Sequence, residues 1–248
     1  DGANVYVWRP AHWASWAFLL DPSKSDSAKG SYVFAKGGFQ GARGNNNGAE
    51  MWISGVFEEL DYPREYYFDR NTNKLYYFHN ETAGVPPPAS GFVDPVVYCI
   101  FNIQGSLPSS PVRDVTIQGI GIRDAQATVF APHAMPSGGD WALQRWAAIQ
   151  LEVTERVTLQ GLNFTNNDGN AVSILAYNRN ATVRDTEIYL NAASGVISLG
   201  NCSGSGVEGF GPDCTAGNMP FGNLVERVFG HEIGFYEKQI SIYFEAKS

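Results

Sequence analysis

The sequence has few charged residues and no long apolar run. Charged side chains make up 17% of the 248 residues, and the formal net charge is −8. So little positive charge argues against a nucleic acid or an anionic membrane surface, since both need clustered Lys and Arg. The longest apolar stretch, residues 13–20, is far shorter than the roughly 20 residues that span a bilayer. We expect no nucleic acid as partner and no membrane span.

Cysteine is also scarce, with only Cys99, Cys202 and Cys214 in the chain. Cys202 and Cys214 bracket a glycine-rich stretch that has no obvious core of its own. In an oxidising compartment a disulfide would close this loop and leave Cys99 unpaired. The alternative is three buried free thiols, because free cysteine is a common core residue. We predict the Cys202–Cys214 disulfide.

Four Asn-x-Ser/Thr triplets also favour a secretory protein. Such a triplet is the acceptor pattern for N-linked glycosylation, although it also arises by chance. The four acceptor residues are Asn80, Asn163, Asn180 and Asn201. We predict a glycoprotein that is secreted or lies at the cell surface.

What the sequence does have is a repeat. The apolar segments that start at Ala147, Ala171 and Gly195 lie 24 residues apart, and segments 157–161 and 181–185 keep the same step. Two strand registers with one period indicate a solenoid of short strands. Asn- and Gly-rich corners between the segments agree with this, because such residues tolerate left-handed backbone. We predict that the first three segments stack as parallel strands of one sheet.

Two long insertions interrupt the repeat. Segment 115–119 matches 157–161 but precedes it by 42 residues, which is one period plus 18. Segment 223–227 likewise follows 181–185 by 42 residues. The additional residues fall around 131–144 and 201–220. Loops of this length on a regular scaffold often carry function.

The first hundred residues repeat less clearly. Residues 66–78 contain two aromatic runs around 71–73, which predicts a β-hairpin. We divide the chain into an N-terminal β-rich region, 1–110, that caps or enters the solenoid, and a region of coils, 111–248. The segment 240–244 reads as a strand with little chain after it, so nothing covers the last coil. We expect further polypeptide of the same protein, or a neighbouring copy, to pack there.

The coil resembles the right-handed parallel β-helix superfamily of pectate lyases, polygalacturonases and related glycoside hydrolases. Three segments, 65–78, 135–145 and 230–239, are similar to a poorly characterised family of secreted β-helix proteins of algae and other protists. The resemblance implies an all-β fold, a right-handed parallel β-helix with about 24 residues per coil. It also implies a carbohydrate-active protein with a polysaccharide or glycan as partner.

The first insertion supplies one set of candidate residues. Asp140 and Trp141 lie at its end, near His133 and Arg145. An acid beside an exposed Trp would suit acid/base chemistry on a stacked sugar, with Trp141 and Arg145 binding the substrate. The alternative is a carboxylate that pairs with Arg145 to order the loop.

A second candidate is Asp168, at the corner Asn167-Asp168-Gly169. This corner is similar to the Asp-Asp-Gly turn of polygalacturonases, where paired acids face the substrate. The first acid is replaced by Asn167, which puts a two-carboxylate mechanism in doubt at this corner. The alternative is ordinary turn chemistry, since Asn-Asp-Gly favours tight corners.

The densest ionisable cluster lies near the end of the chain. We take His231 and Glu237 as further catalytic candidates and Lys238 as a substrate-binding residue. Strand alternation would place His231 and Ile233 on one face and Glu232 on the other. The alternative is a polar outer face with one buried ion pair.

No zinc spacing and no nucleophile elbow occur, so we predict neither a metal nor a cofactor. Two functions are left open. The first is an enzyme, a glycoside hydrolase or polysaccharide lyase that acts on an extracellular polysaccharide. The alternative is a non-catalytic structural or adhesive module of a cell surface, extracellular matrix or filament assembly.

Overall fold

The computed structural model describes residues 2–38, 48–79, 85–106, 108–131, 133–134, 143–200 and 218–246. In these residues the fold is all-β, with two antiparallel units before residue 80 and two parallel sheets after residue 100. The helical turns that they contain are two short 3-10 helices, Ser27–Lys29 and Phe57–Glu59.

The N-terminal unit is a four-stranded antiparallel sheet. Its strands are β1 (Asn4–Trp8), β2 (Ser15–Leu20), β3 (Phe34–Gly37) and β4 (Glu50–Ser54), in the order β3-β2-β1-β4. Tyr6, on the central strand β1, pairs with Ala17 on one side and Trp52 on the other. Gly37 is required at the edge, because a Cβ there would lie 2.0 Å from the carbonyl oxygen of Ala17.

The predicted aromatic hairpin is confirmed. Strands β5 (Tyr66–Asp69) and β6 (Lys74–Tyr77) pair antiparallel. The Asp69 carboxylate fixes the turn, since it accepts hydrogen bonds from the Asn71 amide (2.9 Å) and the Thr72 hydroxyl (2.7 Å).

From Phe101 onward the chain builds two parallel sheets and alternates between them. The first contains β7 (Phe101–Gln104), β8 (Val112–Arg113), β13 (Ala147–Glu155), β16 (Asn170–Arg179), β18 (Val196–Leu199), β19 (Pro220–Phe221) and β21 (Tyr243–Ala246). The second contains β9 (Thr116–Gln118), β10 (Gly121–Arg123), β14 (Thr158–Gln160), β15 (Asn163–Thr165), β17 (Thr182–Tyr189) and β20 (Leu224–His231). A separate antiparallel pair, β11 (His133–Ala134) and β12 (Leu143–Gln144), lies within the first insertion.

The strand registers confirm the repeat. In the second sheet Thr158 pairs with Thr116, 42 residues earlier, and with Thr182, 24 residues later. Thr182 pairs in turn with Leu224, again 42 residues on. In the first sheet β13, β16 and β18 are parallel neighbours, as predicted.

One pair of strands departs from the predicted register by a single residue. Ala147 pairs with Asn170 rather than with Ala171. A bulge accounts for the difference, since two residues of β16 stand opposite Val153 of β13 and the 24-residue step is restored at Thr154. Such a bulge bends the strand locally.

Three columns of corners between the parallel strands use residues in the left-handed region, with φ between 49° and 70°. Asn, Asp and Gly accept this conformation readily, whereas in Arg, Leu and Glu it costs roughly 1–2 kcal/mol per residue. Register and packing therefore determine the corners more strongly than local preference does. The three columns of corners are Asp114, Arg156, Asn180 and Gly222; Gly119, Gly161, Asp185 and Arg227; and Asp124, Asn166, Leu190 and Glu232.

The main core lies between the two parallel sheets. Inward-facing side chains from successive strands form it, among them the fully buried Ile149, Leu159, Phe164 and Val183. At the ends of the stack the equivalent residues are only partly buried, including Ile117 on β9 and Val228 on β20. Ile240, Ile242 and Phe244 are also only partly buried.

Candidate functional site

A cleft of about 990 Å³ lies between β1 and β4 of the N-terminal sheet and the β5–β6 hairpin. Aromatic and charged side chains dominate its walls. The aromatic ones are Tyr6, Trp52, Tyr66, Tyr67, Phe68 and Tyr236, and the charged ones are Glu59, Asp61, Arg64, Glu65 and Arg70. Ligand sites are commonly concave and lined by aromatic residues with a few polar groups.

Three stacked rings form one wall of the cleft. The Tyr6 and Trp52 rings are almost parallel, with centroids 4.0 Å apart, and the Tyr236 ring stacks on Tyr6 at 5.6 Å. Burial raises the pKa of Tyr6 to about 12 and raises the pKa of Tyr236 further. Both phenols therefore stay protonated around neutral pH and can donate a hydrogen bond.

Tyr236 reaches this wall from the far end of the chain. The segment after β20 folds back along the preceding turn, where the Tyr236 amide donates to the Ala192 carbonyl (3.2 Å). The Ser15 hydroxyl on β2 then accepts a hydrogen bond from the Lys238 amide (3.0 Å) and donates to the Tyr236 carbonyl (3.4 Å). The Lys238 ammonium lies 5.6 Å from the centre of the Trp8 ring, within cation–π range.

Asp168 is within electrostatic range of the Tyr6 and Tyr236 rings and is not one of the residues that line the cleft. Its backbone is fixed by hydrogen bonds to Ala125 and Thr128, each 3.0 Å. Burial raises the pKa of the Asp168 carboxyl, and the nearby charge of Asp124 raises it further. The negative charge of Asp168 in turn contributes to the raised pKa of Tyr6 and Tyr236. Both effects favour the neutral, protonated form of the Asp168 carboxyl.

Asn167, the residue before it, has a structural role. The side chain is fully buried. Its Oδ1 accepts from the Ala125 amide (3.1 Å), and its Nδ2 donates to the Ile122 carbonyl (3.2 Å) and to Asn191 Oδ1 (3.3 Å). Asn167, which stands where an Asp-Asp-Gly turn has its first acid, therefore links neighbouring turns of the chain through its side-chain hydrogen bonds.

The candidates of the first insertion are only partly described. Asp140 and Trp141 lie outside the described residues. Arg145 is largely buried, and this burial lowers its pKa, while the negative charge of Glu152 acts in the opposite direction.

His231 lies on the outer face of the second parallel sheet. Its ring stacks on Tyr189 of the adjacent strand, with centroids 5.3 Å apart. Its Nε2 is 3.5 Å from a Glu187 oxygen and its Nδ1 is 3.4 Å from a Glu232 oxygen. The predicted alternation was wrong at this point, because Glu232 adopts a left-handed backbone (φ 49°) and turns Ile233 toward the core.

The structure thus brings Asp168 within electrostatic range of Tyr236, and it places His231 against Tyr189 and Glu187 instead. Sequence reasoning missed Tyr6, Trp52 and Tyr236. Their only sequence signal was aromatic content, and two of the three segments that carried the resemblance, 65–78 and 230–239, contribute residues to the cleft.

The predicted modification sites are also partly described. Asn163 lies in β15 and its Nδ2 donates to Glu187 (2.9 Å), whereas Asn180 is exposed at a left-handed corner. Asn80, Asn201, Cys202 and Cys214 lie outside the described residues. Cys99 is a free, half-buried thiol whose pKa is raised by burial.

No helix in the described ranges is long and apolar enough to cross a membrane. Those residues also contain no group of three or more His, Cys, Asp or Glu side chains placed to hold a metal ion.

These features define an all-β protein with two parallel sheets and an aromatic cleft at the side of its N-terminal sheet. No family model and no curated protein matches the sequence. A solved structure described as a glycoside hydrolase superposes with a TM-score of 0.67 at 13% sequence identity. The match covers 95% of this chain and 45% of that protein, so the two share a fold over less than half of the longer chain.

Proposed function

We propose that the chain is part of a secreted, carbohydrate-active protein built on a right-handed parallel β-helix. The two parallel sheets with 24-residue steps support the β-helix, and the shared fold with a glycoside hydrolase supports the carbohydrate substrate. The polysaccharide binds in the cleft between the N-terminal sheet and the hairpin.

The observation that carries this proposal is the aromatic cleft, whose stacked rings are within electrostatic range of the half-buried Asp168 carboxyl. Rings such as Trp52 and Tyr66, both exposed, can pack against the apolar face of a sugar. Asp168 then acts as the general acid and supplies a proton to the glycosidic oxygen as the bond from that oxygen to the anomeric carbon breaks. A water molecule adds to the anomeric carbon and releases its proton to solvent. Hydrolysis rather than elimination is the reaction that this carboxyl supports best.

The test is to incubate the protein with a panel of extracellular polysaccharides and to measure new reducing ends. Replacing Asp168 by Asn should abolish cleavage and leave binding intact, because the amide keeps the size of the side chain but cannot donate the proton. D114N is the control, since Asp114 forms an exposed ion pair with Arg156 on another corner. Binding without cleavage in the wild type would support a non-catalytic module instead.

The pH dependence gives a second test of the same role. A general acid is active while protonated, so the rate should fall as pH rises through the pKa of Asp168. Asp124 raises that pKa, so D124N should lower it and move this limb of the profile to lower pH. An unmoved limb would mean that another group donates the proton.

A further inference from the structure

Two arginines line the cleft, and their surroundings indicate which class of sugar it binds. Arg64 and Arg70 both lie in its wall, beside Tyr66 and Phe68. Within the described residues neither guanidinium forms an ion pair. By contrast, most arginines in the parallel sheets form ion pairs, among them Arg113 with Glu155 and Arg227 with Asp185.

The acidic residues closest in sequence to these arginines are already engaged. Glu65 Oε2 accepts hydrogen bonds from the amides of Asp61 (3.1 Å) and Tyr62 (3.0 Å). The Asp69 carboxylate is held by the turn of the hairpin, and its pKa is lowered by the Thr72 hydroxyl and the Asn71 amide. The two guanidinium groups are therefore left for a ligand.

The backbone at Arg64 is held in an unfavourable conformation. Its φ is 76°, in the left-handed region that arginine rarely adopts. The Arg64 amide donates to the Phe78 carbonyl (2.8 Å), and the Phe78 amide donates to the Glu65 carbonyl (2.9 Å). The hairpin thus fixes the backbone position of Arg64 in the wall of the cleft.

The cleft is not uniformly positive. Glu59 and Asp61 line it as well, and the chain as a whole has a net charge of −8. A polymer with a negative charge on every sugar would meet these acids as well as the arginines. A ligand with separated anionic groups would place them at Arg64 and Arg70 and present neutral hydroxyl groups to the acids.

We propose that the cleft binds a polysaccharide in which acidic sugars alternate with neutral ones, and that Arg64 and Arg70 bind the acidic groups. This inference rests on the proposed function, since it names the substrate of the same cleft. The acidic group is a carboxylate or a sulfate ester, because a guanidinium binds either through paired N–H donors.

The experiment compares each acidic glycan with its own neutral derivative. The carboxylate pair is a hyaluronan oligosaccharide and its carboxyl-reduced form, and the sulfate pair is an alternately sulfated galactan and its desulfated form. An alginate oligosaccharide, charged on every sugar, is the third probe. Affinities are measured by calorimetry at low and high salt.

We expect one acidic glycan to bind more tightly than its neutral derivative and more tightly than alginate, and salt to reduce the difference. R64A and R70A should each weaken binding of that glycan by about tenfold to a hundredfold, the loss expected when a charge-assisted contact is removed. Neither should change binding of the neutral derivative. R64K, which keeps the charge but not the paired donors, should lose less.

K74A is the matched control, because Lys74 lies on the same hairpin outside the cleft. If alginate binds best, or if R64A weakens acidic and neutral glycans alike, the inference fails. If neutral derivatives bind as well as the acidic glycans, it also fails while the proposed function stands. If no glycan binds, both fail.

Discussion

The buried asparagines of the corner before Asp168 allow a quantitative test of what joins successive turns of the chain. Asn167 and Asn191 occupy equivalent positions 24 residues apart and are both fully buried. Asn167 makes three hydrogen bonds, to Ala125, Ile122 and Asn191. Asn191 accepts one of these through its Oδ1, and its Nδ2 has no partner in the described part of the chain.

Replacing Asn167 by Ala would leave the buried Ala125 amide and Asn191 Oδ1 without a partner, whereas the Ile122 carbonyl lies in β10, which pairs with β15. Each such group costs about 1–3 kcal/mol, so N167A should lower the free energy of unfolding by about 2–6 kcal/mol. N191A removes the same atoms but leaves the Asn167 Nδ2 bonded to the Ile122 carbonyl. Its cost should be about 1–2 kcal/mol.

The assay is equilibrium unfolding in urea, followed by far-UV circular dichroism and by tryptophan fluorescence. Coincident transitions and equal m-values would justify comparing the two variants as changes in stability. Equal losses of unfolding free energy in N167A and N191A would refute the reasoning. They would mean that the lost side-chain volume sets the cost and the number of lost hydrogen bonds does not.

Three further predictions concern charge and backbone. The stability of D168N should match that of the wild type in acid and exceed it at higher pH. The raised pKa of Asp168 means that the folded state holds the proton more tightly than the unfolded state, so the wild type loses stability as pH rises through that pKa. Thermal melts across a pH series measure this difference, and equal pH profiles for the two proteins would contradict it. The exposed pair of Asp185 with Arg227 is short (2.5 Å), yet D185N should cost at most about 1 kcal/mol and less in high salt; a larger, salt-insensitive loss would show that the corner depends on it. In G195A the added Cβ would lie 2.5 Å from a backbone oxygen of the segment before β21, so urea unfolding should show a loss of about 1–3 kcal/mol in the free energy of unfolding. In G121A the nearest atom to the added Cβ is 3.9 Å away, so this variant should be about as stable as the wild type. Equal effects of the two substitutions would exclude the steric explanation.

The parallel sheets were predictable because their signal is repeated in the sequence. Apolar residues recur at one spacing in two registers, and the 42-residue steps at 115–119 and 223–227 appear as pairings of β9 and β20 with their neighbours. Asn and Gly at the corners gave a local indication of left-handed backbone at Asn166 and Asn180. Arg227 and Glu232 gave none, since their conformation is imposed by the layers on either side.

The cleft was not predictable in the same way. The N-terminal sheet is antiparallel and has no counterpart elsewhere in the chain, so no repeat could reveal it. The stacking of Tyr6 on Tyr236 joins residues 230 positions apart, and no pattern within a window of sequence encodes such a contact. Asp168 was found from a local motif, but the reason for its raised pKa, burial beside Asp124, is a property of the fold.

The way the cleft is assembled has a consequence for binding. Tyr236 belongs to the wall only while its segment is held on β2 by Ser15 and packed on Tyr6. A ligand that touches both the hairpin and Tyr236 binds the docked arrangement and not the undocked one. It therefore stabilises that contact by a free energy that grows with the logarithm of one plus the ratio of its concentration to its dissociation constant. The reverse also holds, because linkage is reciprocal: loosening the segment at Ser15, far from any sugar, should weaken the affinity of the cleft without removing a single group from its wall.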